Sequence, residues 1–429
     1  MRRWTAAVLL LAAACSEPED VPDEEDSPVP SPAPEPVWLS PTEHLVRASM
    51  AIRGLRPSIE DLARIEADPA SLEPMVDAYL ASDEFLATLR DLHAELYRVR
   101  VDLEPPFPAL GPLAGYTGAE IHEATSEEVL RLVAHIVTND RPYTEIVTAD
   151  YLVANAPLAA IYGLAYDPAG DEWQETHWVD GRESAGVLSS SEIFRRQPSA
   201  GNNFQRHRAN FVADTFLCED FASREVTIRG DLDLSDPETV AAALASDPSC
   251  VACHQALDPL AAAFWGFKQH LDESPVELAM ELGCHVPPSA DPDAVETPFD
   301  QRFEDYCYPL RFYTPLHETM YREFSLPEPA YYGTPFTGLA ELGGLIAEDP
   351  RFHQCSVRHF VGWFQQMDED ELPFDEILAR TEAFEASGFD ARQLVRDIVL
   401  DDAFRIAGPP AGAPDTELFA APVQVVRPE

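Results

Sequence analysis

Two cysteines and a histidine lie within five residues of one another in the run Cys250-Val-Ala-Cys253-His254. Thiols three residues apart lie on one side of a helical turn, where each can add to one vinyl group of a haem. The histidine that follows then presents an imidazole to the iron. Because this spacing is typical of c-type haem attachment, we expect one haem c. Cys250 and Cys253 would form its thioether bonds, and His254 would be the proximal iron ligand.

Other interpretations of the two cysteines are a redox C-x-x-C pair, a zinc site and a chance match. A redox pair would stand at a strand-to-helix junction, and no βαβ pattern is visible around it. A four-thiolate zinc site would need a second close pair, whereas Cys284 and Cys307 are far apart. The apolar aromatic run that ends at Phe267 suits the wall of a dry haem pocket, although ordinary core packing would use the same residues.

The sixth iron ligand is the feature on which function depends most. Two axial ligands favour electron transfer, whereas a vacant position favours chemistry on a small molecule. A methionine well downstream of the motif is the commonest arrangement in electron-transfer haem c, so we choose Met320 as the distal ligand. The downstream candidates are His270, Met280, His285, His317, Met320, His353, His359 and Met367.

The N-terminus has the features of an export signal. Arg2 and Arg3 precede a short apolar run that ends in small residues before Cys15, and this run is too short to cross a bilayer. The arrangement resembles the lipobox of bacterial lipoproteins, in which the cysteine is lipidated, although Ala12 stands where leucine is usual. An ordinary cleaved signal peptide is the alternative. Ser16 predicts sorting to the outer membrane, on its periplasmic side or at the cell surface.

Four further cysteines predict disulfides. Cys218, Cys284, Cys307 and Cys355 are an even number in a chain that we expect to reach an oxidising compartment. Of the three pairings that four cysteines allow, we favour Cys284 with Cys307, which closes a local loop, and Cys218 with Cys355, which joins distant segments. Four buried free thiols are the alternative.

The chain is strongly acidic, with 76 acidic against 29 basic residues and a net charge of −47. Eight of the acids lie in the proline-rich stretch 16–36, so most of the excess belongs to the predicted domains. Such a surface repels nucleic acid and anionic lipid. We therefore expect the lipid anchor to be the only membrane contact, and the redox partner to be basic or another cytochrome.

The residue patterning predicts a mainly α protein. Ser58-Ile-Glu-Asp61 predicts the capped start of a helix, and Thr125-Ser-Glu-Glu128 predicts a capping box ahead of the apolar stripe that begins at Val129. Alternating strand patterns are scarce. Helical spacing resumes at Phe336 and continues to about Ile406.

At 429 residues the chain exceeds the usual size of a single hydrophobic core, so two or more domains are expected. We predict multi-helix, bundle-like domains with an irregular, disulfide-held insertion and a c-type haem module. The predicted segments are a signal peptide (1–15), an acidic proline-rich linker (16–39), an N-terminal helical domain (40–225), the haem module (226–407, with the insertion at 275–335) and a loose tail (408–429).

Several phrases of the sequence resemble the planctomycete-type cytochrome-c-associated proteins, a bacterial group of domains of unknown function. The resemblance covers most of residues 40–407 and implies a haem c and a mainly helical fold, but no reaction. Residues 275–330 are an insertion relative to this group. The similar segments are Leu45 to Phe85, Asn139-Asp-Arg-Pro142, Thr148 to Tyr151, Asn155, Tyr162-Gly163, Ala185 to Cys218, the haem motif with Leu257-Asp-Pro259, Gly333-Thr-Pro-Phe336, Leu339 to Leu342 and Phe352 to Arg358.

The sequence thus predicts an exported lipoprotein with one haem c, more an electron carrier than an enzyme. One alternative is a haem enzyme, or an accessory haem subunit of a degradative oxidoreductase, with an open sixth iron position. Another is a structural surface lipoprotein with a vestigial haem. No Gly-rich phosphate loop, serine nucleophile elbow or H-E-x-x-H zinc motif is present in the sequence. The oligomeric state is not predicted.

Overall fold

The computed structural model describes residues 36–100, 113–197, 199, 203–225, 235–267 and 313–408. These residues form α-helices with little sheet, so the predicted mainly α fold is confirmed. The predicted lipobox and the part of the predicted insertion before residue 313 lie outside the described residues. So do Cys15, Cys284, Cys307, His270, Met280 and His285.

Fifteen α-helices lie in the described part of the chain. They are α1 (Pro41–Arg53), α2 (Ile59–Ala67), α3 (Leu72–Leu80), α4 (Asp83–Tyr97), α5 (Gly118–Thr138), α6 (Glu145–Thr148), α7 (Ala156–Tyr162), α8 (Ser191–Arg196), α9 (Arg206–Leu217), α10 (Pro237–Ser246), α11 (Pro248–Ala261), α12 (Leu339–Ala347), α13 (Pro350–Gln365), α14 (Phe374–Ala386) and α15 (Ala391–Leu400).

Short strands form three two-stranded antiparallel sheets, β1 with β6, β2 with β3 and β4 with β5. The β1–β6 pair joins the segment before α1 to the segment after α15. The β4–β5 hairpin lies in the described part of the predicted insertion. The strands are β1 (Val37–Trp38), β2 (Leu152–Ala154), β3 (Gln174–Thr176), β4 (Ala330–Tyr331), β5 (Thr334–Pro335) and β6 (Ile406–Gly408).

Capping boxes fix the start of several helices. The Ser58 hydroxyl accepts a hydrogen bond from the Asp61 amide at 3.0 Å, which confirms the predicted start of α2. The prediction for α5 was wrong, because its capping box is formed by Thr117 and Glu120. Thr125 and the three residues after it are buried inside α5. Both tetrapeptides fit the same local pattern, and packing of the helix selects the earlier one.

One hydrophobic core extends over most of the described chain, from Leu45 to Phe404. It takes residues from both sides of the predicted domain boundary at residue 225, among them Phe216 before the boundary and Phe360 after it. A second, smaller cluster forms around Leu158, where α7 packs against α5. The helices of the main core supply the rigid frame on which the motif-bearing helix α11 is held.

Helix α9 packs against α11 on one side and against α13 on the other. Cys218, directly after the last residue of α9, forms a disulfide with Cys355 of α13, with the two Cα atoms 5.4 Å apart. The predicted Cys218–Cys355 pairing is therefore confirmed. The pairing of Cys284 with Cys307 stays a prediction, because both residues lie outside the described ranges.

None of the helices in the described ranges is both long and apolar enough to cross a bilayer.

Candidate functional site

Helix α11 carries the candidate haem motif. Its N-terminus is capped by Asp247, whose carboxylate accepts hydrogen bonds from the Ser249 amide at 3.0 Å and the Ser249 hydroxyl at 2.7 Å. Pro248 occupies the first helical position, where its missing N–H costs nothing. This local sequence therefore starts the helix just before Cys250, and Cys253 follows one turn later.

The two motif cysteines are free thiols and partly exposed. Together with His254 they line one cavity of about 450 Å³. Helical spacing places all three side chains on the same wall, as the motif predicts. Thioether formation requires thiols that are reduced and accessible, and both conditions hold here.

His254 is held in a fixed orientation by Asp258, one turn further along α11. Its Nδ1 lies 2.8 Å from Oδ1 of Asp258. Since an ionised carboxylate only accepts, Nδ1 carries a proton, and in the neutral ring Nε2 is then the nitrogen with the free lone pair. This is the tautomer that a histidine ligand needs if Nε2 is to bind a metal ion.

Arg206, the first residue of α9, holds Asp258 from the other side. Its Nε lies 2.6 Å from Oδ1 and its Nη2 lies 2.9 Å from Oδ2 of Asp258. Burial alone would raise the pKa of Asp258, but the hydrogen bonds from Arg206 and His254 outweigh burial and keep this pKa below its usual range. The carboxylate therefore stays ionised, and it ties α9 to α11 at the site.

The cavity lies between α9, α10 and α11 and has one polar and one apolar side. The apolar side includes residues of α10 and the start of the segment after α9, and the polar side comes mainly from α9 and the turn before it. Its lining consists of Asn203, Arg206, His207, Asn210, Phe221, Ala222, Val240, Ala243, Leu244, Ser249, Cys250, Cys253, His254 and Leu257.

Positive charge adjoins the motif despite the acidity of the whole chain. Nη1 of Arg224 lies 3.9 Å from Sγ of Cys253, and the Arg224 guanidinium also contacts Glu219 and covers the Phe221 ring. Arg206 supplies a second guanidinium to the cavity lining. Both guanidinium groups are also paired with carboxylates of the protein, Arg224 with Glu219 and Arg206 with Asp258.

Met320, the chosen distal ligand, does not line this cavity. It is half-buried and packs with Ala262, Trp265 and Tyr321 in a separate small cluster. The structure therefore brings Cys250, Cys253 and His254 together and leaves Met320 apart from them. Arg206 and His207 were not among the sequence candidates, because they precede the motif by more than forty residues and no local signal marks them.

A second group of potential ligand atoms surrounds the disulfide. Sγ of Cys218, Sγ of Cys355 and a ring nitrogen of His359 lie within 4.8 Å of one another. The two sulfur atoms are bonded to each other, and His359 contacts Glu369 through Nδ1 at 2.8 Å and the Thr215 carbonyl through Nε2 at 3.0 Å. Every potential ligand atom of this group is engaged within the protein. The group is separate from the candidate haem motif.

Two family models match the chain. One, described as a protein of unknown function (DUF1592), matches residues 67–164, and the other, described as a protein of unknown function (DUF1585), matches residues 332–404. Both families are typical of planctomycete cytochrome-c-associated proteins, so the resemblance is confirmed for these two domains. The candidate haem motif lies between the matched ranges. No curated protein and no solved structure matches the chain.

Proposed function

We propose that this chain is an exported lipoprotein that holds one haem c through Cys250, Cys253 and His254 and transfers single electrons. The observation that carries the proposal is the orientation of His254 by Asp258, beside two free thiols on the wall of one cavity. A histidine oriented through Nδ1 beside a C-x-x-C pair has the donor set that haem c requires.

The residues around the motif fit the proposed group. When bound, the haem supplies an iron that gains and loses one electron. Asp258 fixes the ring of His254 and makes it a stronger base. Arg206 keeps Asp258 ionised, and apolar residues of α10 such as Val240 exclude water from one side of the cavity.

Export to an oxidising compartment is supported by the Cys218–Cys355 disulfide, because such bonds persist mainly outside the cytoplasm. We propose that Cys15 is lipidated and that the stretch 16–36 is a spacer between the lipid and the folded part. The protein would then lie on the periplasmic side of the outer membrane or at the cell surface. Its acidic surface favours a basic redox partner or the positive patch of another cytochrome.

Covalent haem is tested by co-expressing the full chain with a haem-attachment system. Wild type should keep haem staining after denaturing electrophoresis and should gain the mass of one haem. The Cys250→Ala/Cys253→Ala variant should lose both signals. Val251→Ala, which changes the same helical turn but keeps C-x-x-C-H, is the matched control and should keep them. Wild type that loses all stain on boiling, without a mass increase, would refute the proposal.

The same haem-loaded protein distinguishes an electron carrier from the alternative function, that of a haem enzyme or an accessory haem subunit with an open sixth iron position. Reduced protein with two protein ligands should bind carbon monoxide poorly, whereas an open iron should bind it at once. Optical spectra of the oxidised, reduced and carbon-monoxide-treated protein record the difference.

A further inference from the structure

The cavity that contains the haem motif is also lined by His207, the second residue of α9. Among the histidines of the described residues, only His207 and His254 line it. The His207 imidazole makes no hydrogen bond or ion pair with another described residue, whereas Nδ1 of His254 is bound to Asp258. Imidazole is the commonest metal-binding side chain in proteins, and here a free one lies on the wall of the proposed haem site.

The backbone of His207 is fixed by the turn that leads into α9. Phe204 and Gln205 both have positive φ angles, 54° and 67°, so the chain turns sharply before the helix. Oδ1 of Asn203 accepts a hydrogen bond from the His207 amide at 3.0 Å, and the Ser199 hydroxyl donates to the same oxygen. Non-glycine residues rarely adopt such angles unless the surrounding structure holds them. The position of His207 is therefore determined by its own turn.

The neighbours of His207 in sequence tie it to the motif helix. Arg206 binds Asp258 of α11 with two hydrogen bonds. Arg208 is almost fully buried and donates from Nη1 to the carbonyl oxygens of Phe264 and Phe267, directly after α11. Because the residues on both sides of His207 are bound to α11 and its continuation, the distance between His207 and the motif is set by the fold. A ligand needs this kind of preorganised support.

The other described candidates are engaged elsewhere. His353 contacts Glu385 and the Ala347 carbonyl through its two ring nitrogens, and His359 is held between Glu369 and the Thr215 carbonyl. None of the remaining described candidates lines the cavity. They are His317, Met320 and Met367.

We infer that His207 would supply the sixth ligand of the iron of the proposed haem. The inference rests on the proposed covalent haem and deepens it. Two imidazole ligands would leave no open position for a small molecule, so the haem would act as an electron carrier and not as a catalyst.

The test compares optical and electron paramagnetic resonance spectra of haem-loaded, full-length variants. Wild type should be low-spin and six-coordinate in both oxidation states, without the long-wavelength band of methionine sulfur bound to ferric iron. His207→Ala should lose the low-spin signal and bind carbon monoxide readily when reduced. Added imidazole should restore the low-spin spectrum of His207→Ala by occupying the vacated position.

Two matched controls define the outcome. His177→Ala removes an exposed histidine that does not line the cavity, and Met320→Ala removes the ligand chosen from the sequence. Both should keep the wild-type spectrum. A His207→Ala protein that stays low-spin, or a Met320→Ala protein that alone becomes high-spin, would overturn the inference while leaving covalent haem intact. Haem staining and mass of every variant report the haem separately, and wild type without covalent haem would refute both proposals.

Discussion

Asp258 is the residue that connects the candidate haem motif with the rest of the fold. Its carboxylate accepts hydrogen bonds from His254 on its own helix and from Arg206 on α9. A histidine whose second nitrogen donates to a carboxylate is a more basic metal ligand. Greater basicity stabilises ferric iron relative to ferrous iron, so Asp258 should lower the reduction potential of the proposed haem.

Asp258→Asn should therefore raise the reduction potential of the haem-loaded protein. The amide can still accept a hydrogen bond, but it carries no charge to strengthen the imidazole. If the preference for ferric iron falls tenfold, the potential rises by about 60 mV for one electron. A spectroscopic redox titration measures it. Ser249 lines the same cavity but makes no hydrogen bond to His254, so Ser249→Ala should not change the potential. An unchanged potential in Asp258→Asn would contradict this role.

Glu128 is a fully buried carboxyl group on α5, remote from the motif in sequence. Its Oε2 accepts a hydrogen bond from the Tyr162 hydroxyl at 2.8 Å. Burial raises the pKa of Glu128 to about 7, although hydrogen bonds from Ser190 and Tyr162 oppose the shift. Because this carboxyl is harder to ionise in the folded state, it destabilises the fold at neutral and higher pH.

Glu128→Gln should be more stable than wild type at pH 8. The folded state binds the proton more tightly than the unfolded state, so wild-type stability falls as pH rises from the ordinary pKa to about 7. The gain should be at most roughly 3 kcal/mol at pH 8 and should vanish near pH 4, where both states are protonated. Chemical unfolding at the two pH values measures it. Exposed Glu123→Gln is the control, and an equal gain at both pH values would argue against a titrating Glu128.

At the scale of elements, α9 connects the motif helix α11 to α13, which lies in the second matched region. One end of it contributes Arg206 to the site, and the other end is bonded through Cys218 to Cys355 of α13. Aromatic packing between Phe216 and Phe352 reinforces the same junction. The disulfide thus holds the helix whose Arg206 positions Asp258 and, through it, His254, the proposed proximal ligand.

Replacing Cys218 and Cys355 with alanine should reduce both stability and haem loading. The bond spans a sequence separation of 137 residues, and loop-closure entropy for that length predicts a loss of about 5 kcal/mol. Urea unfolding measures the stability, and haem staining measures loading. Cys284→Ala is the comparison, since we expect it to affect mainly the predicted insertion. Equal losses from Cys284→Ala would show that the Cys218–Cys355 bond has no special role in supporting the site.

At the scale of the whole molecule, an acidic folded part follows a predicted lipid anchor and spacer. A net charge of −47 keeps such a surface away from anionic lipid headgroups. None of the described helices could cross a bilayer, and membrane association through the anchor alone stays a prediction.

Cys15→Ala should abolish membrane attachment of the exported protein. Without the thiol there is no site for lipid, so the variant should remain an uncleaved precursor or appear as soluble protein. Membrane fractionation and the mass of the N-terminal peptide measure this. Ser16→Ala, next to the same position, should still be lipidated. A Cys15→Ala protein that is processed and sediments with membranes like wild type would contradict the lipoprotein assignment.

Local features of the fold were predictable from the sequence. The mainly α class and the capped start of α2 depend on residues within one or two turns of each other, as does the spacing of the haem motif. The prediction of a capping box at Thr125 was wrong because local patterns are ambiguous. Thr117 and Glu120 fit the same pattern equally well. Burial of Glu127 among Arg90, Arg100 and Arg131 shows that this stretch belongs inside the helix.

The sequence by itself determined the residue types of the proposed site and the helix that carries them. Only the tertiary structure decided what surrounds that helix. Arg206 reaches Asp258 across 52 residues, and His207 lines the motif cavity while Met320 does not. The sequence allowed three pairings of four cysteines, and the fold brings Cys218 to Cys355. Contacts between distant segments depend on how whole helices pack, and no local pattern of residues contains that information.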